Sequence, residues 1–252
     1  MTAGPAVTVT LNTTDGPMDA VVCAPKGLGK APGVVVLQEI FGVNDHFKDV
    51  CRRLALEGFI AAAPELFHRS GQGIVYSNAQ VQKGIAELGR FTNEGLEVDV
   101  QASINSLRAN PRCTGKIAVI GFCVGGFASF LSACRTNGDA FVAFYGGGIV
   151  NARPPLKLQP LLGEVGKIQK PVLCFYGGND QSIPPAECET VRGALASLPI
   201  VSEVKVYPDA GHAFFNDTRP TYAEAAAVDS WQRTLRFLRL ALGRTAAPDA
   251  TE

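Results

Sequence analysis

The sequence predicts an α/β protein: a mostly parallel, twisted sheet of about seven or eight strands with helices on both faces. Two observations carry this. Short runs dense in Val, Ile and Phe alternate repeatedly with longer segments of helical period. The chain has 252 residues, 46% hydrophobic and 18% charged, which suits one domain with a sizeable core. No Pro-, Gly- or Ser-rich linker divides it and no internal repeat is visible. A single domain over 1–252 is expected, with "GRTAAPDATE" (243–252) as a flexible tail.

Taken in order, "TVTLNT" (8–13) and "DAVVCAP" (19–25) read as an opening pair of strands. "GVVVLQE" (33–39) is a β-branched run of the kind that is covered on both faces. In 46–57, Phe47, Val50, Cys51 and Leu54 recur at helical spacing, and Gly58 ends the helix. "FIAAAPEL" (59–66) is the next strand. The polar segment 70–93 holds a modest helix near 79–90. The stripe Leu96, Val100, Ile104, Leu107 marks a helix over 94–110. Then come a strand at 116–122, a helix at 124–136, strands at 140–146 and 171–177, and a helix near 185–197. An alternating strand at 202–208 and a long helix at 221–242 close the domain.

Lys plus Arg equals Asp plus Glu at 23 each. With no basic run, that balance argues against nucleic acid or anionic membrane as partners. No signal peptide or spanning segment is visible. The seven cysteines are odd in number and form no CxxC, and the histidines form no HxH or HExxH. Neither a disulfide framework nor a metal site is expected, and the setting inferred is reduced and cytoplasmic.

The chemistry gathers at strand ends. "AVIGFCVGGFAS" (118–129) is a buried strand, a glycine-flanked turn and a helix. That is the build of a nucleophile elbow, G-x-Ser-x-G, with Cys123 at its centre. A thiol at a helix N-terminus is favoured as thiolate. The alternative is a buried, inert cysteine. His212, in "PDAGHAFFND", lies on the loop between the last strand and the last helix and can swing over the elbow. His46 and His68 read as ordinary structural histidines. Asp180, in "YGGNDQSIPP", follows a buried strand and can orient the imidazole. Asp209 and Asp217 flank His212 but are poorly placed to orient that ring. The chain order Cys123, Asp180, His212 is the nucleophile–acid–base order of α/β-hydrolases. The turn in "LQEIFGVND" (37–45) is expected to supply an oxyanion-hole N–H at Ile40, beside that of Val124. Glu39 in this loop is either part of the site or a solvated carboxylate.

Together "LQEIFGVN", "GFCVGG", "GGNDQSIP" and "AGHAFF" resemble the dienelactone hydrolase family, α/β-hydrolases with a cysteine nucleophile. The resemblance spans about residues 18–240 and implies Cys123 as nucleophile with Asp180 and His212 as triad partners. It implies Glu39 as the carboxylate that holds the thiol inactive until substrate enters and then helps to form the thiolate. It also places Tyr145 on a pocket tyrosine. No cofactor is implied. The arginines that grip a substrate carboxylate are not matched: the position four residues after His212 is Asn216. The helix near 79–90 offers only Lys83 or Arg90, with Arg69 just upstream. Tyr145, Phe41, Lys83 and Asn216 are therefore the candidate substrate contacts. The expected activity is hydrolysis of a small ester or lactone through an acyl thioester, by a monomer or small homo-oligomer. The alternatives are a broader carboxylesterase or thioesterase for neutral esters, and a thiol sensor on the same fold.

Overall fold

The computed structural model describes residues 2–27 and 29–243. Of the tail expected at 243–252, residues 244–252 lie outside the described residues. Among the described residues, eight strands form one sheet: β1 (Val7–Thr13), β2 (Gly16–Cys23), β3 (Ala31–Leu37), β4 (Ile60–Pro64), β5 (Cys113–Phe122), β6 (Ala140–Phe144), β7 (Val172–Gly177) and β8 (Ser202–Tyr207). Their order is β1-β2-β4-β3-β5-β6-β7-β8. The hairpin β1–β2 is antiparallel and β2 joins β4 antiparallel, while every pairing from β4 to β8 is parallel. Among the described residues, six α-helices accompany this sheet: α1 (Asp45–Leu56), α2 (Val81–Leu88), α3 (Asn93–Ala109), α4 (Val124–Arg135), α5 (Pro185–Ala196) and α6 (Glu224–Ala241). None of the described helices is long and apolar enough to cross a membrane.

The sequence accounts for the layering. All seven residues of β3 are buried, as are β4, β6 and β7 throughout, because a parallel strand covered on both faces has no side for water. By contrast β1 sits at the sheet edge and is mostly exposed. Helix α1 buries Phe47, Val50, Cys51 and Leu54 on one face, and the Asn44 side chain caps it by accepting the Phe47 N–H. Helix α4 is buried from Val124 to Cys134, which is why its sequence is mostly apolar, its two serines Ser129 and Ser132 donating to backbone carbonyls. The parallel strands all point their carboxyl ends at one edge of the sheet, and the connecting loops gather there.

Candidate active site

The turn from β5 into α4 puts Cys123 at that edge with φ 57° and ψ −116°. A non-glycine residue in left-handed backbone is costly and persists only where its surroundings over-determine it. Here two close approaches do so. A Cβ on Gly121 would lie 1.7 Å from the Gly125 carbonyl oxygen, and one on Gly125 would lie 2.4 Å from that of Leu37. Only glycine fits at either place. The Cys123 N–H donates to the Phe144 carbonyl at 3.0 Å, and the Gly125 N–H to that of Gln38 at 3.2 Å. The elbow is thus stitched to the ends of β6 and β3. Val124 opens α4, so its N–H has no carbonyl one turn earlier in the helix. Ile40 lies just past β3.

The loop after β8 brings His212 to the same edge. Its Nδ1 is 2.6 Å from Asp180 Oδ2, on the loop after β7. The Asp180 side chain is wholly buried, whereas that of His212 is 32% exposed. Asp180 Oδ1 accepts from the Ser182 N–H at 2.8 Å and from its hydroxyl at 2.6 Å. Burial pushes the Asp180 carboxyl toward the neutral form, but the bond and charge of His212 and the Ser182 donors outweigh it, and its pKa is lowered. For His212, burial also acts first, and downward. The charge of Cys123, the bond to Asp180 and a hydrogen bond with the Cys123 side chain then raise its pKa to about 11. The sulfur and the imidazole are therefore an interacting pair.

Glu39 is buried, 3% exposed. Its Oε1 accepts from the Tyr145 hydroxyl at 3.0 Å, and its Oε2 from Asn216 Nδ2 at 3.0 Å. Tyr145 follows β6 with φ 38° and stacks at an angle on His212, centroids 5.2 Å apart. Burial, then the Glu39 charge and hydrogen bond and the Cys123 charge, push the phenol well above its ordinary range, so it remains a neutral donor.

A model of the dienelactone hydrolase family matches residues 18–242. The chain belongs to the dienelactone hydrolase family. A Salmonella typhimurium protein named "Putative carboxymethylenebutenolidase" is 38% identical over 223 residues, covering 87% of this chain and 82% of its own. A carboxymethylenebutenolidase from Pseudomonas sp. strain P51 is 31% identical over 215 residues, covering 84% and 85%. The crystal structure of a "Putative Dienelactone Hydrolase" from Klebsiella pneumoniae has TM-score 0.82 at 33% identity and covers 94% of this chain and 98% of that one. These relatives carry the α/β-hydrolase fold, in agreement with the eight-stranded sheet.

Within this dienelactone hydrolase family member, the other candidate contacts separate. Phe41 is buried beside Ile40. Asn216 is 1% exposed and turned to Glu39, away from solvent. Lys83 is exposed on α2. Arg69 is committed to Asp99 and Asp15, and Arg90 sits 3.6 Å from Glu87. His68 pairs with Asp99 and His46 with Asp217, each at 3.1 Å. Two residues escaped the sequence reading. Ser182 was concealed in a turn-rich loop, although a Ser two residues after an Asp is the spacing of an Asx turn. Arg219 follows His212 by only seven positions. Its guanidinium lies 4.9 Å over the Phe41 ring and donates to Asn78 Oδ1 at 2.9 Å, while its Nε is buried without a hydrogen-bond partner.

Proposed function

We propose that the chain hydrolyses small carboxylic esters or lactones through an acyl thioester on Cys123. The observation that carries this reading is the meeting of sulfur, imidazole and carboxylate at one sheet edge, with the sulfur on a strained elbow. The thiolate attacks the carbonyl carbon, and the π electrons pass to the oxygen, held by the N–H groups of Ile40 and Val124. Collapse of the tetrahedral species breaks the C–O bond, and the leaving alkoxide takes a proton from Nε2 of His212, which enters this step as imidazolium, its pKa being raised to about 11. His212 then removes a proton from water, which attacks the thioester and expels the thiolate. Asp180 holds the imidazole with Nδ1 toward itself. Glu39 is the carboxylate that accepts the thiol proton when substrate is bound and returns it to the thiolate expelled in deacylation. Brief mixing with p-nitrophenyl acetate should leave an acetyl group on the Cys123 peptide by mass spectrometry. A thiol sensor would turn over no ester and carry no such adduct.

Arg219 supports a substrate bearing a carboxylate, since its guanidinium stands next to the Ile40–Phe41 turn with one donor unspent. Arg219→Gln is expected to raise KM for a carboxylate-bearing ester by about tenfold, one charge-assisted hydrogen bond, and to leave KM for p-nitrophenyl acetate unchanged. Equal effects on both esters would favour the neutral-ester reading.

A further inference from the structure

We propose that Asn216 is a positioning residue: its side-chain amide orients the buried Glu39 carboxylate toward its work on Cys123 without cancelling the negative charge. The proposal rests on the reading of Glu39 as the carboxylate that serves the thiol.

The orientation of the amide is dictated locally. Asn216 Oδ1 accepts from the Thr218 N–H at 3.0 Å and from the Thr218 hydroxyl at 2.7 Å. A backbone N–H can only donate, so the atom facing Glu39 must be Nδ2. An NH₂ group only donates, and it therefore favours the charged carboxylate over a protonated one whose hydrogen would point at it. Tyr145 does the same at Oε1 from β6. Between them, the two donors take one oxygen each and leave the plane of the carboxylate no freedom to turn. Both are neutral. A cation at position 216 would hold Glu39 as an ion pair and offset its charge, whereas the amide binds it and leaves the charge in place to attract a proton.

The titratable and charged groups around this carboxylate come from three elements: the end of β6, the start of α4 and the loop between β8 and α6. Tyr145 bonds it from the end of β6. Cys123 at the start of α4 and His212 on the loop after β8 lie behind Tyr145, since the Cys123 charge acts on that phenol and the His212 ring stacks on it. Arg219, on the Asn216 loop, acts on the Tyr145 phenol in the opposite sense. Removing the Asn216 donor leaves all of these in place, so its effect is separable from theirs.

The test is the pH dependence of iodoacetamide alkylation at Cys123, read on its own peptide by mass spectrometry. Cys123 is half-buried while the other six cysteines are buried, so it reacts in the folded protein. Asn216→Ala is expected to move the acid limb of alkylation up by about one pH unit, the loss of one hydrogen bond to a charged group. In a Glu39→Gln background the same substitution should move nothing. Asn216→Asp has the same shape and places a second carboxylate against Glu39. It is expected to shift the limb further in the same direction, and it serves if the alanine variant does not fold. An unmoved limb in the folded variants overturns the proposal, and so does a shift of equal size without Glu39. An inactive Cys123→Ala alongside an unmoved limb would sink this proposal and leave the proposed hydrolysis standing. An active Cys123→Ala would sink both.

Discussion

Cys123→Ala is expected to abolish ester hydrolysis, with the rate constant for p-nitrophenyl acetate falling by about 10³-fold or more. The whole of the proposed covalent step runs through the sulfur, and among the described residues no other nucleophilic side chain stands at the elbow turn to replace it. The fold should survive. Alanine meets the same left-handed φ of 57° that cysteine already tolerates, and the bond from the residue 123 N–H to the Phe144 carbonyl does not involve the side chain. The variant also makes a separate prediction about His212. Burial drives that imidazole toward the neutral form, and the sulfur's charge is the first of the influences that raise its pKa to about 11. Without the sulfur, burial and Asp180 remain, so the pKa must fall. An NMR titration of the imidazole ring protons would show it, with the variant titrating at lower pH than the wild type. An unchanged titration, or hydrolysis retained above a few per cent, would place the nucleophile elsewhere.

How far the sequence leads depends on the distance over which each feature is decided. The buried parallel strands were legible because continuous β-branched runs such as Val34–Val36 have few alternatives to a strand covered on both faces. Elbow, acid and histidine were legible because each sits at a strand end, and a parallel sheet sends all its strand ends to one edge. Boundaries slipped where a local signal misled. The second strand read as starting at Asp19, yet pairing with Thr13 and Asn12 draws Gly16 and Pro17 into β2. Likewise β5 begins at Cys113, before Gly115, because β3 pairs there. The partners of Glu39 were not legible at all. They lie 106 and 177 positions away, and only the assembled fold brings them to one carboxylate. For the same reason Asn216 read as a missing anchor, when the fold turns it inward. Arg219 was passed over because its place above Phe41 is likewise a tertiary fact.

Asp180→Asn should lower kcat by about 10³- to 10⁴-fold through the tautomer of His212, with little change in shape. Ser182 makes this expectation sharper than a simple loss of charge. Its N–H donates to Asp180 Oδ1, and an N–H cannot accept, so an asparagine here keeps its oxygen on Ser182. The NH₂ group then faces His212 Nδ1, where Oδ2 now accepts at 2.6 Å. Against a donor, the ring must present a bare Nδ1 and carry its proton on Nε2. That is the nitrogen required to take the proton from water in deacylation, so the base is already filled when that step begins. The same substitution changes the acid stability. In the wild type the Asp180 pKa is lowered in the folded state. Its contribution is therefore complete above the ordinary carboxylate range and is lost as the pH falls through the lowered value, where the unfolded chain binds more protons. Asparagine binds no proton, so in urea titrations between pH 7 and pH 3 the variant should lose less stability than the wild type. If Asp180→Asn keeps most of its kcat, or loses stability in acid as steeply as the wild type, then Asp180 neither sets the imidazole tautomer nor carries a charge that the fold depends on.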